Sequence, residues 1–170
     1  EEDATLTAFD LVARRKVFEV KVGGEPEGVK VSADGRLVYV ASEVASLVHV
    51  IDVASAKVVK NIAVGKRPRR IAITADGKEL WVTSELDASV SIISTASQSV
   101  IGKLAFAVKG VRSEDITPVG IQMTRDGGKH WSAISIPGLP SMLNISGIVA
   151  SHQAAGRIYV TVDGHFNDDY

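Results

Sequence analysis

The sequence predicts an all-β chain built from consecutive four-stranded antiparallel sheets, and three observations carry that prediction. A unit of 42 residues repeats along the chain. Within each unit the apolar residues alternate with a period of two, as at Val29/Val31, Val38/Val40 and Val48/Val50, on a background rich in β-branched side chains. Finally, Ala33-Asp34-Gly35 and Ala75-Asp76-Gly77 place residues that tolerate positive φ between the first two apolar segments of each unit, which reads as a tight hairpin.

In chain order, residues 5–22 lie 42 positions ahead of the third and fourth segments of the next unit, with Phe9-Asp10 over Ile51-Asp52 and Val20, Val22 and Gly23 over Ile62, Val64 and Gly65. They are therefore read as strands three and four. Residues 28–64 and 70–106 each give a full unit of four strands, aligned through Pro26 over Pro68, Asp34-Gly35 over Asp76-Gly77 and Ser42 over Ser84. Residues 119–136 give two strands at an offset of 50, with Pro118 under Pro68 and the extra residues in Lys109 to Ile116. Residues 147–162 give strands one and two of another unit, a pair that could complete a sheet with the first pair.

Four short strands per unit of about 42 residues is the period of a β-propeller blade. The count comes to about three to four blades, whereas closed rings hold roughly 4–8. The expectation is thus a single propeller-type domain over residues 1–170 that forms an incomplete propeller or half-propeller. An open arc leaves bare strand edges and apolar blade faces, so a homodimer or larger self-assembly is expected.

Composition narrows the function classes. Of the 170 residues 45% are hydrophobic, too many for a disordered chain, yet no apolar run approaches the roughly 20 residues of a spanning helix. Nineteen basic against 20 acidic side chains leave a net charge of −1, which gives no whole-chain attraction to nucleic acid. Zero cysteines remove disulfides, zinc-thiolate sites and cysteine nucleophiles. The first residues, Glu1-Glu2-Asp3, are no signal peptide, although a mature exported chain can begin in this way.

Val38-Tyr39-Val40-Ala41-Ser42 and Leu80-Trp81-Val82-Thr83-Ser84 resemble the Tyr-Val-Thr-Asn signature of YVTN propeller repeats. Gly24-Glu25-Pro26-Glu27-Gly28, Arg67-Pro68-Arg69, Thr74 to Val82 and Pro118-Val119-Gly120-Ile121 are similar to one branch, the propellers associated with pyrroloquinoline-quinone (PQQ)-dependent alcohol catabolism. Over residues 5–127 that resemblance implies a periplasmic or secreted, non-catalytic propeller that acts by binding and needs no cofactor of its own. Further on, Thr124, Asp126, Gly128 and Trp131 fall in a stretch that resembles the Asp box of BNR, sialidase-type propellers, a structural hairpin. An Asp box joins strands three and four, whereas the YVTN Asp-Gly turn joins strands one and two. Two readings follow: a fusion near residue 127, of 1–127 with 128–170, or a diverged blade.

Four scattered histidines (His49, His130, His152, His165) come with no nucleophile elbow, phosphate loop or metalloprotease motif, so no catalytic residue is assigned. His49 alternates with Val48 and Val50 and is expected on an intersheet surface or in solvent. The sharpest local feature is Lys66, Arg67, Arg69 and Arg70. Propeller geometry puts the loops carrying them on the same face as Glu25, Glu27, Glu43 and Glu85. Guanidinium forks suit carboxylate or phosphate, so the four residues are a candidate site for a small anion or an acidic protein partner. The competing reading is a solvated loop whose charges pair with Glu25 and Glu27. The oxygen-rich end, Asp163, His165, Asn167, Asp168 and Asp169, matches no metal-binding loop and is read as solvated. Alternatives to the binding module are a glycoside hydrolase of sialidase type built on the Asp-box half, or an engineered or fused propeller fragment without an evolved function.

Overall fold

A computed structural model of the chain describes residues 4–121 and the backbone of two later strands at 144–150 and 158–163. The chain divides into two compact units, Glu1–Gly127 and Gly128–Tyr170. The first holds β1 (Thr5–Asp10) and β2 (Arg15–Lys21), then β3 (Pro26–Val31), β4 (Leu37–Ser42), β5 (Leu47–Asp52) and β6 (Lys57–Ala63). It continues with β7 (Pro68–Ile73), β8 (Glu79–Ser84), β9 (Ser89–Ser94) and β10 (Ser99–Ala105). Strands β3 to β6 and β7 to β10 form two four-stranded antiparallel sheets in sequence order, and β1–β2 form a two-stranded one. In the second unit β11 (Asn144–Ala150) pairs with β12 (Ile158–Asp163). The all-β, blade-by-blade architecture is the one the repeat predicts.

The repeat is written in the backbone as well as in side chains. Positive φ recurs at Arg14, Ala56 and Gln98, at Glu25 and Arg67, at Ser46 and Ala88, and at Gly35 and Gly77, each set spaced by the repeat length. Each hairpin between strands one and two needs its glycine: Gly35 and Gly77 both sit at φ +71. Asp34 and Asp76 do not take positive φ. Instead Asp34 Oδ1 accepts from the Ser32 hydroxyl at 2.6 Å and the Arg36 amide at 3.1 Å, and Asp76 Oδ1 does the same with Thr74 and Lys78. Those bonds, the hydroxyl foremost, hold both carboxyls below their ordinary range.

Because β4 is covered on both faces, its period-two alternation feeds two separate apolar layers. Tyr39 and Ala41 point to one side with Val48, Val50 and Ile62, and meet Ile71, Leu80, Val82 and Ile93 of the following sheet. Val38 and Val40 point to the other side with Ile51 and meet Val20, Leu6, Phe18 and Val22 of the β1–β2 hairpin. Where β3 crosses close to β7, Gly28 leaves no room for a side chain: a Cβ there would lie 2.7 Å from the Arg69 carbonyl oxygen.

Some expectations change. His49 is not a solvent-facing residue: it is only 6% exposed, its Nε2 accepts from the Gly23 amide at 2.9 Å, and Nδ1 lies 2.7 Å from Asn61 Oδ1. Both ring nitrogens are thereby used in tying the exit of β2 to β5. The β1–β2 pair of the first unit and the β11–β12 pair of the second are each a two-stranded sheet. Among the described residues of the first unit, β1 pairs with β2 alone. Residues 119–121 are not in a strand, and the rest of the pair expected over 119–136 lies outside the described residues. Among the described residues no helix is long and apolar enough to cross a membrane.

Candidate functional site

The loops that enter strand one and those that leave strand two are stitched together within each sheet. The Glu43 amide donates to the Glu25 carbonyl at 2.9 Å and that of Val44 to Gly24; 42 residues on, the Glu85 amide donates to Arg67 and that of Leu86 to Lys66. These paired loops form one rim, and the candidate basic quartet sits on it.

Three of its four members are already engaged with carboxylates of the chain. The Glu43 side chain, 2% exposed, is gripped by Arg67 and by Arg69, reaching across from the neighbouring sheet. Burying that carboxylate alone would be costly, and two charge-assisted contacts offset the cost. Burial pushes the Glu43 carboxyl up, but hydrogen bonds from Arg69 and Arg67 outweigh it and hold the group below the usual carboxylate range. Arg69 also lies 3.4 Å from Glu85 Oε2 and 3.5 Å from Glu27 Oε1. Arg70 donates to the Glu27 carbonyl at 2.8 Å and to its carboxylate at 2.9 Å.

The pairing of charges across loops is therefore real but differently partnered from the sequence expectation. Glu27 takes part, Glu25 has no ion pair among the described residues, and the main acceptor is Glu43, with Glu85 beside it. Sequence reasoning placed Glu43 and Glu85 on this face without making them partners of the arginines. Their equivalence across the repeat, at the end of strand two in each unit, was the available signal. Lys66 differs from its three neighbours: it is exposed, and its ammonium has no ion pair or hydrogen bond among the described residues.

Between the paired loops of the two complete sheets lies an open cleft of about 430 Å³, lined by Glu25, Glu43, Val44, Ser46, Lys66, Arg67 and Leu86. A smaller one of about 270 Å³ lies between β1 and β3, lined by Thr5, Leu6, Pro26, Glu27, Gly28, Val29 and Val40. No group of three or more metal-ligating side chains occurs among the described residues. Thr124, Asp126, Gly128 and Trp131 lie outside the described residues, as do His130, His152 and His165.

Tandem four-stranded antiparallel sheets packed face to face, with the paired loops gathered on one rim, define β-propeller blades. Comparison with known proteins agrees. The model of the YNCE-like beta-propeller family matches residues 3–73. Hydrazine synthase of Kuenenia stuttgartiensis is similar in structure with a TM-score of 0.65 and 26% identity, over 72% of this chain and 34% of that one. Apo AztD from Citrobacter koseri is similar with a TM-score of 0.53 and 15% identity, over 61% of this chain and 30% of that one, a likeness of fold alone. The chain thus spans about a third of the length of these structures. No curated protein matches the chain.

Proposed function

We propose that the chain is a non-catalytic β-propeller binding module, periplasmic or secreted, that serves PQQ-linked alcohol metabolism by holding a small anionic ligand or the carboxylate of a protein partner at the rim between its two complete blades. The compartment and the metabolic link rest on the motif resemblance over residues 5–127. The rim carries the binding reading through one observation: Lys66 opens onto a 430 Å³ cleft with its charge unspent, whereas Arg67, Arg69 and Arg70 are occupied by Glu43, Glu85 and Glu27. Anion capture falls to Lys66, with the half-exposed Arg67 beside it. The glycoside-hydrolase alternative rests on the Asp-box stretch, outside the described residues.

The test is titration of the full chain with a panel of carboxylates and phosphates, PQQ among them, on wild type, Lys66→Met and Arg69→Ala. The proposal expects at least one anion to bind the wild type and about ten- to a hundredfold weaker binding by Lys66→Met, the equivalent of one charge-assisted contact of about 1.5–3 kcal/mol. Arg69→Ala should act mainly on stability. No anion binding by the wild type, or equal binding by all three proteins, overturns the proposal.

A further inference from the structure

The cleft at Lys66 is not a simple anion site, because its charges balance. Arg67 and Glu43 satisfy one another. That leaves two ionised side chains without an ion pair among the described residues, and they are of opposite sign: Lys66 on the loop into β7 and Glu25 on the loop into β3. Val44, 69% exposed, Leu86, 46% exposed, and Ser46 complete the lining, with Val44 following Glu43 and Leu86 following Glu85.

A ligand that carried only negative charge would meet Lys66 and also face the Glu25 carboxylate lining the same cleft, and like charges repel. A ligand that carried only positive charge would meet the reverse. Both are relieved by one chemistry, a small zwitterion with an apolar body. From these residues we infer that the cleft takes a zwitterionic α-amino acid, carboxylate to Lys66, ammonium to Glu25, and an aliphatic side chain between Val44 and Leu86. The volume of about 430 Å³ is in the range of small-ligand sites and exceeds what one phosphate or acetate needs. This inference rests on the reading of Lys66 as the anion-holding group and adds to it the class of ligand.

The experiment separates the two. Isotope-labelled full chain is titrated, with amide shifts followed by NMR, with leucine and with 4-methylpentanoate, which keeps the carboxylate and the isobutyl group but lacks the amine. The wild type should bind leucine about tenfold more tightly, the effect of one added charge-assisted contact at a partly exposed rim. Glu25→Gln should bring leucine down to the level of 4-methylpentanoate and leave the latter no weaker. Lys66→Met should weaken both. Equal binding of the two probes by the wild type, or a leucine advantage that survives Glu25→Gln, overturns the zwitterion assignment while leaving the anion reading in place. If neither probe shifts the spectrum of the wild type, the zwitterion assignment falls, and the anion reading falls with it only if the carboxylate and phosphate panel also fails to bind.

Discussion

Replacement of Glu43 by glutamine probes the contact that joins the two complete blades. The wild-type carboxylate is 2% exposed and held by Arg67 and Arg69, and glutamine keeps its shape while removing its charge. Breaking a fully buried ion pair by removing one partner costs about 3–5 kcal/mol. Two features lower that figure here. The guanidinium side chains are 43% and 27% exposed, and Arg69 retains Glu85 at 3.4 Å and Glu27 at 3.5 Å. Glutamine, moreover, still accepts one hydrogen bond. The expected loss is about 2 kcal/mol, which for a chain of this size lowers Tm by about 4–8 °C.

The pH dependence supplies a second reading of the same contact. Since Glu43 is held below its ordinary value of 4.5, its contribution is complete above that value and disappears as pH falls through the lower, folded-state value. Thermal unfolding of wild type and Glu43→Gln should therefore differ by a constant amount between about pH 6 and 8, and the difference should shrink progressively as pH falls below 4.5. Glu25→Gln, at an exposed and unpaired position, should stay within about 0.5 kcal/mol of wild type. A Glu43→Gln protein as stable as wild type at pH 7, or a difference that persists unchanged into acid, would refute the assignment of Glu43 as the buried partner of the arginine pair.

Gly28→Ala should destabilise the fold by about 1–3 kcal/mol, because the new methyl would lie 2.7 Å from the Arg69 carbonyl oxygen and the backbone cannot yield as a side chain can; chemical denaturation measures it. His49→Ala should cost about 2–3 kcal/mol by leaving the Gly23 amide without its acceptor and opening a gap between hairpin and blade, again read by denaturant unfolding. We propose self-association of the chain through the edge of β1 that carries no strand among the described residues, together with the exposed Phe9 and Val17 on its hairpin. Light scattering at micromolar concentration should report a dimer or larger species, and a sharp 18.0 kDa monomer would exclude it.

The repeat alone determined the fold, because in this architecture each contact is local or lies one repeat away. Val38 and Tyr39, adjacent in sequence, had to serve opposite layers as soon as the strand period was two and sheets lay on both sides. Gly35 and Gly77 likewise announced their turns, since only the glycine of each Asp-Gly pair takes positive φ. What the sequence left open was the pairing of charges on the rim. Loops carrying Glu25, Glu27, Glu43, Lys66, Arg67, Arg69 and Arg70 could be assigned to one face by topology, but ion pairing depends on distances of a few ångströms between side chains that come from different blades. Only the tertiary structure decided that Glu43 is buried between Arg67 and Arg69, while Lys66 and Glu25 have no ion pair among the described residues. For His49 the alternation left an intersheet position and solvent both open, and the Gly23 amide and Asn61 at its two nitrogens decide for burial. Periodicity reports which face of a strand a residue occupies, and the packing of the neighbouring sheet determines what that face meets.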